Sequence, residues 1–172
     1  MTEKKQPVLF GGRVEMFIDD TLVESLENAR FEINRPTRRE EVLRFGEPWE
    51  GRGSLACSVF RHEGQVYLYY RGYPDGANDA SELQTACLAL SPDGIRFTRA
   101  EINRIAYNGN KKNNIVWMGP EAHNFLPFYD TNPACPEGER FKAIAGTLAL
   151  GGLFAFCSAD GIRWRKMSEQ PV

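Results

Sequence analysis

The sequence predicts an all-β chain: two consecutive four-stranded β-propeller blades preceded by an N-terminal arm. Three observations carry that expectation. A seven-residue element, Ser91-Pro92-Asp93-Gly94-Ile95-Arg96-Phe97, returns 67 residues later as Ser158-Ala159-Asp160-Gly161-Ile162-Arg163-Trp164. Each copy occupies the same place in a series of four short apolar runs. No long amphipathic helical run interrupts the series; a turn or two of helix at residues 22–28 is the most the pattern supports. Four-stranded sheets in tandem are the mark of a propeller, where each sheet needs neighbours to cover its faces.

The elements follow in order. Residues 1–48 form the arm, with strands expected at 14–18 and 29–34. In a closed propeller such an arm completes the last blade. The first blade spans 49–102, with runs at 55–61, 65–73, 85–90 and 96–102. Val66-Tyr67-Leu68-Tyr69-Tyr70 is apolar or aromatic on both faces, as a sheet packed between two others requires. A connector follows at 103–120. The second blade spans 121–172, with runs at 123–129, 140–147, 153–157 and 163–167. In both copies of the repeated element, Asp-Gly suits a tight hairpin turn. Glycine tolerates φ > 0 and aspartate bonds its own backbone. The two hairpins should join the third and fourth strands of each blade. The second blade's outer face should lack a neighbour and expose apolar side chains such as Phe154, Phe156 or their neighbours. That predicts self-association or poor solubility, and no hydrolase activity from this chain alone.

Composition narrows the function classes. Of 172 residues, 42% are hydrophobic and 26% charged, and the net charge is −2. This is a globular balance with no basic excess, so neither nucleic acid nor an anionic membrane surface is an expected partner. No apolar run approaches the roughly 20 residues that span a bilayer. The first dozen residues contain no apolar signal core, which points to the cytoplasm. Cys57, Cys87, Cys135 and Cys157 form no C-x-x-C pair, and there are two histidines. A zinc site is not expected, nor any cofactor; the cysteines read as small buried side chains in a reducing compartment, with a disulfide the lesser alternative.

Several polar clusters carry potential chemistry. Asp19 and Asp20 follow the apolar run Met16-Phe17-Ile18; they read either as catalytic carboxylates at a strand end or as a capping turn. Trp49, Glu50 and Arg52 precede the first inner strand. The tryptophan suits stacking on a sugar face, and the charged pair suits hydroxyl recognition or a surface ion pair. Glu121, His123 and Asn124 sit at the equivalent entry to the second blade. Strand alternation would put Glu121 and His123 on one face and Asn124 on the other. They read as acid, orienting group and hydroxyl ligand, or as groups that satisfy local backbone. Arg71 ends a strand, where it can reach a carboxylate or pack on an aromatic ring. Asn113-Asn114 reads as amides for sugar hydroxyls or as a turn before a short strand. Inner-strand entries converge in a propeller. Glu121, His123 and one of Asp19 or Asp20 should therefore share a cleft, with Glu50 or Arg52 at its rim.

Several stretches together resemble a known family. They are Phe17-Ile18-Asp19-Asp20 with Leu22 and Glu24, Pro48-Trp49-Glu50-Gly51, Asn113-Asn114-Ile115-Val116, His123-Asn124-Phe125 with Pro127-Phe128, Asp130-Thr131-Asn132-Pro133, and Arg140-Phe141-Lys142-Ala143. As a set, from about Val14 onward, they resemble the N-terminal part of an uncharacterised bacterial family of glycoside-hydrolase-like five-bladed β-propellers, in the arabinanase- and invertase-like clan. The resemblance implies an incomplete five-bladed propeller and a carbohydrate partner. It implies glycosidic-bond hydrolysis in the full-length form, with Asp19 or Asp20 and Glu121 as catalytic candidates. The invertase-type Asn-Asp-Pro-Asn-Gly motif is absent, and the four-run unit occurs twice rather than five times. A non-catalytic carbohydrate-binding or scaffold propeller and an inactive fragment are the alternatives. The sugar, the linkage and the stereochemical course are not specified by these motifs.

Overall fold

The computed structural model describes residues 11–12 and 16–172, without the side chains of Asp20, Ala56 and Cys57. It divides into two units, Met1–Arg39 and Glu40–Val172. In the first unit the described residues contain one short 3-10 turn, Asp20–Leu22, and no strand. The strand expected at 29–34 and the helical turn expected at 22–28 are absent. Residues 14 and 15 of the other expected strand lie outside the described residues. A strand needs a partner for its backbone groups, and residues 29–34 have none among the described residues of this unit.

The second unit is all-β, with two antiparallel sheets. The first contains β1 (Leu55–His62), β2 (Gln65–Gly72), β3 (Thr85–Ser91), β4 (Thr98–Arg99) and β5 (Ile115–Met118). The second contains β6 (Leu126–Tyr129), β7 (Phe141–Thr147), β8 (Gly152–Ser158) and β9 (Arg165–Lys166). Sequential strands are neighbours, in the orders β1-β2-β3-β4 and β6-β7-β8-β9. The expected runs fall on these strands. One difference concerns the connector: β5, inside residues 103–120, pairs with β3 through Thr85–Met118 and Ala86–Trp117. The short β4 covers only Ala89 and Leu90 of that β3 edge, so the rest is free to take a fifth strand.

The two Asp-Gly turns carry the same hydrogen bonds. In the first, the amides of Ile95 and Arg96 donate to Asp93 Oδ1, each at 2.9 Å, and the Gly94 amide donates to Ser91 Oγ at 2.8 Å. In the second, Ile162 and Arg163 donate to Asp160 Oδ1 at 2.9 and 2.7 Å, and Gly161 donates to Ser158 Oγ at 3.0 Å. The serine and aspartate thus satisfy backbone donors that the two-residue strands β4 and β9 cannot. Each turn joins the third and fourth strands of its four-stranded path.

Strand alternation gives the first sheet two apolar faces, and both are covered. Tyr69, Ala86 and Leu88 face the second sheet and meet Phe125, Phe141, Ala143, Phe156 and Trp164. Leu68, Tyr70, Cys87 and Ala89 face the other way, under Leu43, Phe45, Trp49, Phe97 and Tyr107. Among the described residues of this unit, the second sheet is covered on one face only. Phe154 and Phe156, expected on its open side, are buried in the shared core. The open side instead carries Leu126, Phe128, Ile144 and Leu153, which are 43, 46, 37 and 43% exposed. The expected apolar face is thus carried by neighbours such as Leu153 rather than by Phe154 and Phe156 themselves. In a period-2 strand, one residue's shift exchanges the faces.

Cys87, Cys135 and Cys157 are buried free thiols, with Cys87 pushed up to about 12 by desolvation. Among the described residues no helix is long and apolar enough to cross a membrane.

Candidate functional site

The segment before β1 is built around Glu50. Its carboxylate accepts from the amides of Gly46 (2.7 Å) and Glu47 (2.9 Å), from the Tyr70 hydroxyl (2.5 Å), and from Arg99 Nε and Nη2 (2.8 Å each). Burial raises its pKa, but these donors outweigh burial and hold it below the ordinary carboxylate range. Glu50 is fully enclosed, so it is an internal anchor rather than a rim residue. Trp49 is anchored beside it: its indole N–H donates to Asn114 Oδ1 at 2.8 Å, and its carbonyl accepts from Thr85 Oγ1. Asn114 is likewise internal, donating to Tyr70 and to the Leu88 carbonyl. Gly51 has φ +66°, and a Cβ there would overlap the Tyr73 carbonyl, which explains the Glu-Gly sequence. Arg52 is exposed and lines an open hollow of about 740 Å³ with Arg44, Asp75 and Tyr107.

The entry to β6 is different. Strand alternation does not apply to residues 120–125, because Pro120–Ala122 is a 3-10 turn and Asn124 is left-handed at φ 56°. Pro120 at the first helical position favours that turn. Gly119, at φ 129°, is tied to the first sheet by its amide bond to the Gln84 carbonyl (2.9 Å). The turn brings two groups of polar side chains together.

The first group surrounds Glu121. Lys166 of β9 pairs with Glu121 Oε1 at 2.5 Å, and its ammonium lies over the Phe154 ring. Burial raises the Glu121 pKa, but the Lys166 ammonium and the local backbone amide outweigh it, so the group is held ionised. That state suits a base or nucleophile rather than the expected acid. Glu82 reaches the same place. Oε2 of Glu82 and Oε2 of Glu121 each lie 3.4 Å from where a Cβ on Gly119 would stand, so they are at most about 7 Å apart.

The second group surrounds His123. Gln84 Nε2 donates to the Asn78 carbonyl, which leaves Gln84 Oε1 as the acceptor for His123 Nδ1–H at 3.1 Å. His123 Nε2 then holds the lone pair that accepts from Arg71 Nη1 at 3.2 Å. Desolvation, then the Arg71 charge, lowers the imidazole pKa, and Asp79 opposes them from 3.6 Å. His123 is therefore a neutral orienting group. Arg71 is nearly enclosed and lies over the Tyr73 ring at 5.2 Å.

Of the expected site residues, Glu121, His123 and Arg71 come to one turn. Asn124 is on that turn but exposed. Glu50 is enclosed, Trp49 is half-buried and tied by hydrogen bonds to Asn114 and Thr85, and Arg52 lines the separate hollow. Asp19 lies in the first unit, where its Oδ1 accepts from the Thr21 amide at 2.9 Å and its pKa is lowered by that bond. Asp20 opens the 3-10 turn there. Sequence reasoning missed Glu82, Gln84 and Lys166. Glu82 and Gln84 lie in a polar loop with no motif, and Lys166 is brought to Glu121 only by the β8–β9 hairpin.

Comparison with solved structures finds "a putative glycoside hydrolase from Parabacteroides distasonis" at 18% identity and a TM-score of 0.49. The match covers 77% of this chain and 40% of that one, so the chain spans less than half the length of that neighbour. No family model matches the sequence. No curated protein matches it either.

Proposed function

We propose that the chain is a segment of a glycoside-hydrolase-like β-propeller that binds carbohydrate at the 119–123 turn, and that hydrolysis there requires the larger propeller. The propeller reading is supported by two successive four-stranded meanders with matching hairpins and by the contact of their first strands, where Ser58 Oγ on β1 donates to the Pro127 carbonyl on β6. First strands of adjacent blades meet in this way around a central axis.

The observation that carries the functional reading is the Glu82–Glu121 carboxylate pair, whose Oε2 atoms are at most about 7 Å apart. Glycosidases place two carboxyl groups about 5 to 9.5 Å apart across the scissile bond. Glu121, ionised and held by Lys166, takes the base or nucleophile role. Glu82, exposed beside it, supplies the second carboxyl group. Lys166 and His123 position rather than react. A non-catalytic binding module is the second reading, favoured by the Lys166 ion pair, which occupies one oxygen of Glu121.

Calorimetric titration of the chain with a panel of neutral and acidic oligosaccharides tests the binding. Saturable binding that Glu121→Gln weakens at least tenfold is expected. Undiminished binding by that variant would move the site elsewhere, and no binding to any sugar would remove the reading.

A further inference from the structure

The open side of the second sheet is built in the register that the first sheet uses to pack on the second. Ala86 and Leu88 of β3 correspond, 67 residues on, to Leu153 and Ala155 of β8. Their cross-strand partners correspond too. Leu88 lies opposite Tyr69, and Tyr69 opposite Ser58; Ala155 lies opposite Ile144, and Ile144 opposite Leu126. In the first sheet Tyr69, Ala86 and Leu88 are buried in the core shared by the two sheets. In the second, Leu126, Ile144 and Leu153 are 43, 37 and 43% exposed, and Phe128 and Met167 extend the patch at 46 and 45%. Two charged side chains of the described strands share this register, and both are neutralised. Lys142, opposite Phe128, pairs with Asp130 at 2.9 Å; Arg165, opposite Cys157, pairs with Glu139 at 2.5 Å. A face without net charge meets an identical face without like-charge repulsion. The first sheet of another copy cannot take the place, because its side away from the second sheet is covered by Leu43, Phe45, Trp49, Phe97 and Tyr107. Head-to-tail addition of copies, the route to open filaments, is blocked there.

We infer that the chain pairs with a second copy of itself through this face, sheet on sheet, about a two-fold axis that passes close to Ile144. Ile144 lies on β7, between Leu126 of β6 and Ala155 of β8, in the middle of the exposed patch. Two such faces packed together exclude water from the apolar side chains of both copies, as the layers of a β-sandwich do. The pair closes, because each copy spends its open face on the other. The second copy stands where a further sheet would stand in the larger propeller proposed above. This pairing is independent of the carbohydrate reading.

Sedimentation equilibrium of the whole chain over a range of concentrations tests this. A monomer–dimer equilibrium that levels at twice the chain mass is expected. Ile144→Lys and Ile144→Glu should each weaken it at least tenfold. An equimolar mixture of the two should restore it, since in a two-fold pair residue 144 of one copy meets residue 144 of the other. The mass of the unaltered chain needs no variant, so a poorly folding Ile144 substitution does not blunt the test. A monomer at every concentration would overturn the pairing, and so would growth beyond the dimer. A mixture of the two folded variants that stays monomeric would overturn the two-fold arrangement.

Discussion

The hydroxyl of Tyr69, on β2 of the first sheet, donates a 2.8 Å hydrogen bond to the carbonyl of Gly161, at the β8–β9 turn of the second. The same carbonyl accepts from Trp164 Nε1 at 2.9 Å. Burial pushes the Tyr69 pKa far up, so the hydroxyl stays a donor. One turn thus closes its own hairpin and fastens the sheet packed against it.

Removing that hydroxyl with Tyr69→Phe should cost about 1 kcal/mol, since Trp164 still satisfies the carbonyl. The two turn glycines should differ more. Gly94 and Gly161 both have positive φ, at 82° and 71°. A Cβ on Gly94 would meet only Val66, at 3.8 Å; on Gly161 it would lie 2.6 Å from the Tyr69 hydroxyl and 2.9 Å from the Phe141 ring. Gly94→Ala should cost roughly 1–2 kcal/mol for the backbone alone, and Gly161→Ala about 1–3 kcal/mol more for the overlap. Urea denaturation at constant m-value measures both.

Glu50→Gln should destabilise the chain by about 3–5 kcal/mol, because it leaves the Arg99 charge without its buried partner. Arg52→Ala, on the exposed rim, should stay within about 0.5 kcal/mol. A large loss from Arg52→Ala and none from Glu50→Gln would reverse the structural assignment of the two.

Stability should fall as pH drops. His123 is held below its ordinary value of 6.5, so the unfolded chain takes its proton first as the pH falls through that value. Carboxylates add to the slope at lower pH. Asp93 and Asp130 are each held down to about 2, and Glu121 and Asp160 are also lowered. Their stabilisation is present above the unfolded carboxylate range and is lost as the pH approaches the folded values. The urea midpoint should therefore hold from about pH 8 to 7, then decline. His123→Asn should flatten the decline that begins below about pH 6.5 and leave the carboxylate part unchanged.

Leu126, Phe128, Ile144 and Leu153 should make the chain self-associate. Sedimentation velocity should show a concentration-dependent mass, reduced by Phe128→Lys together with Ile144→Lys. A compact monomer at all concentrations would count against this. Phe156→Lys should unfold the chain instead, since Phe156 lies in the shared core against Trp117 and Phe125.

Local chemistry made much of the fold legible. The Ser-x-Asp-Gly elements placed two hairpins, because their hydrogen bonds lie within four residues. Strand facing was less legible. Leu153-Phe154-Ala155-Phe156-Cys157 is apolar at every position, so no polar alternation marks which side turns inward. Alternation fails at Glu121 and His123 because Pro120 opens a 3-10 turn there, which a strand reading of the segment passes over. Nothing near Glu50 shows that its partner is Arg99, 49 residues away, and Lys166 is equally remote from Glu121. Long-range charge pairs decide which acids are anchors and which face a ligand, and one local motif cannot show them.

The central claim is that a saccharide occupies the turn between Gly119 and His123. Titrating the panel of neutral and acidic oligosaccharides into the isotopically labelled chain and following amide and indole shifts tests it most directly. The account predicts shifts concentrated at Arg71, Tyr73, Glu82, Gln84, Trp117, Glu121 and His123. Shifts gathered instead around Arg44, Arg52 and Tyr107, or none at saturating sugar, would contradict it.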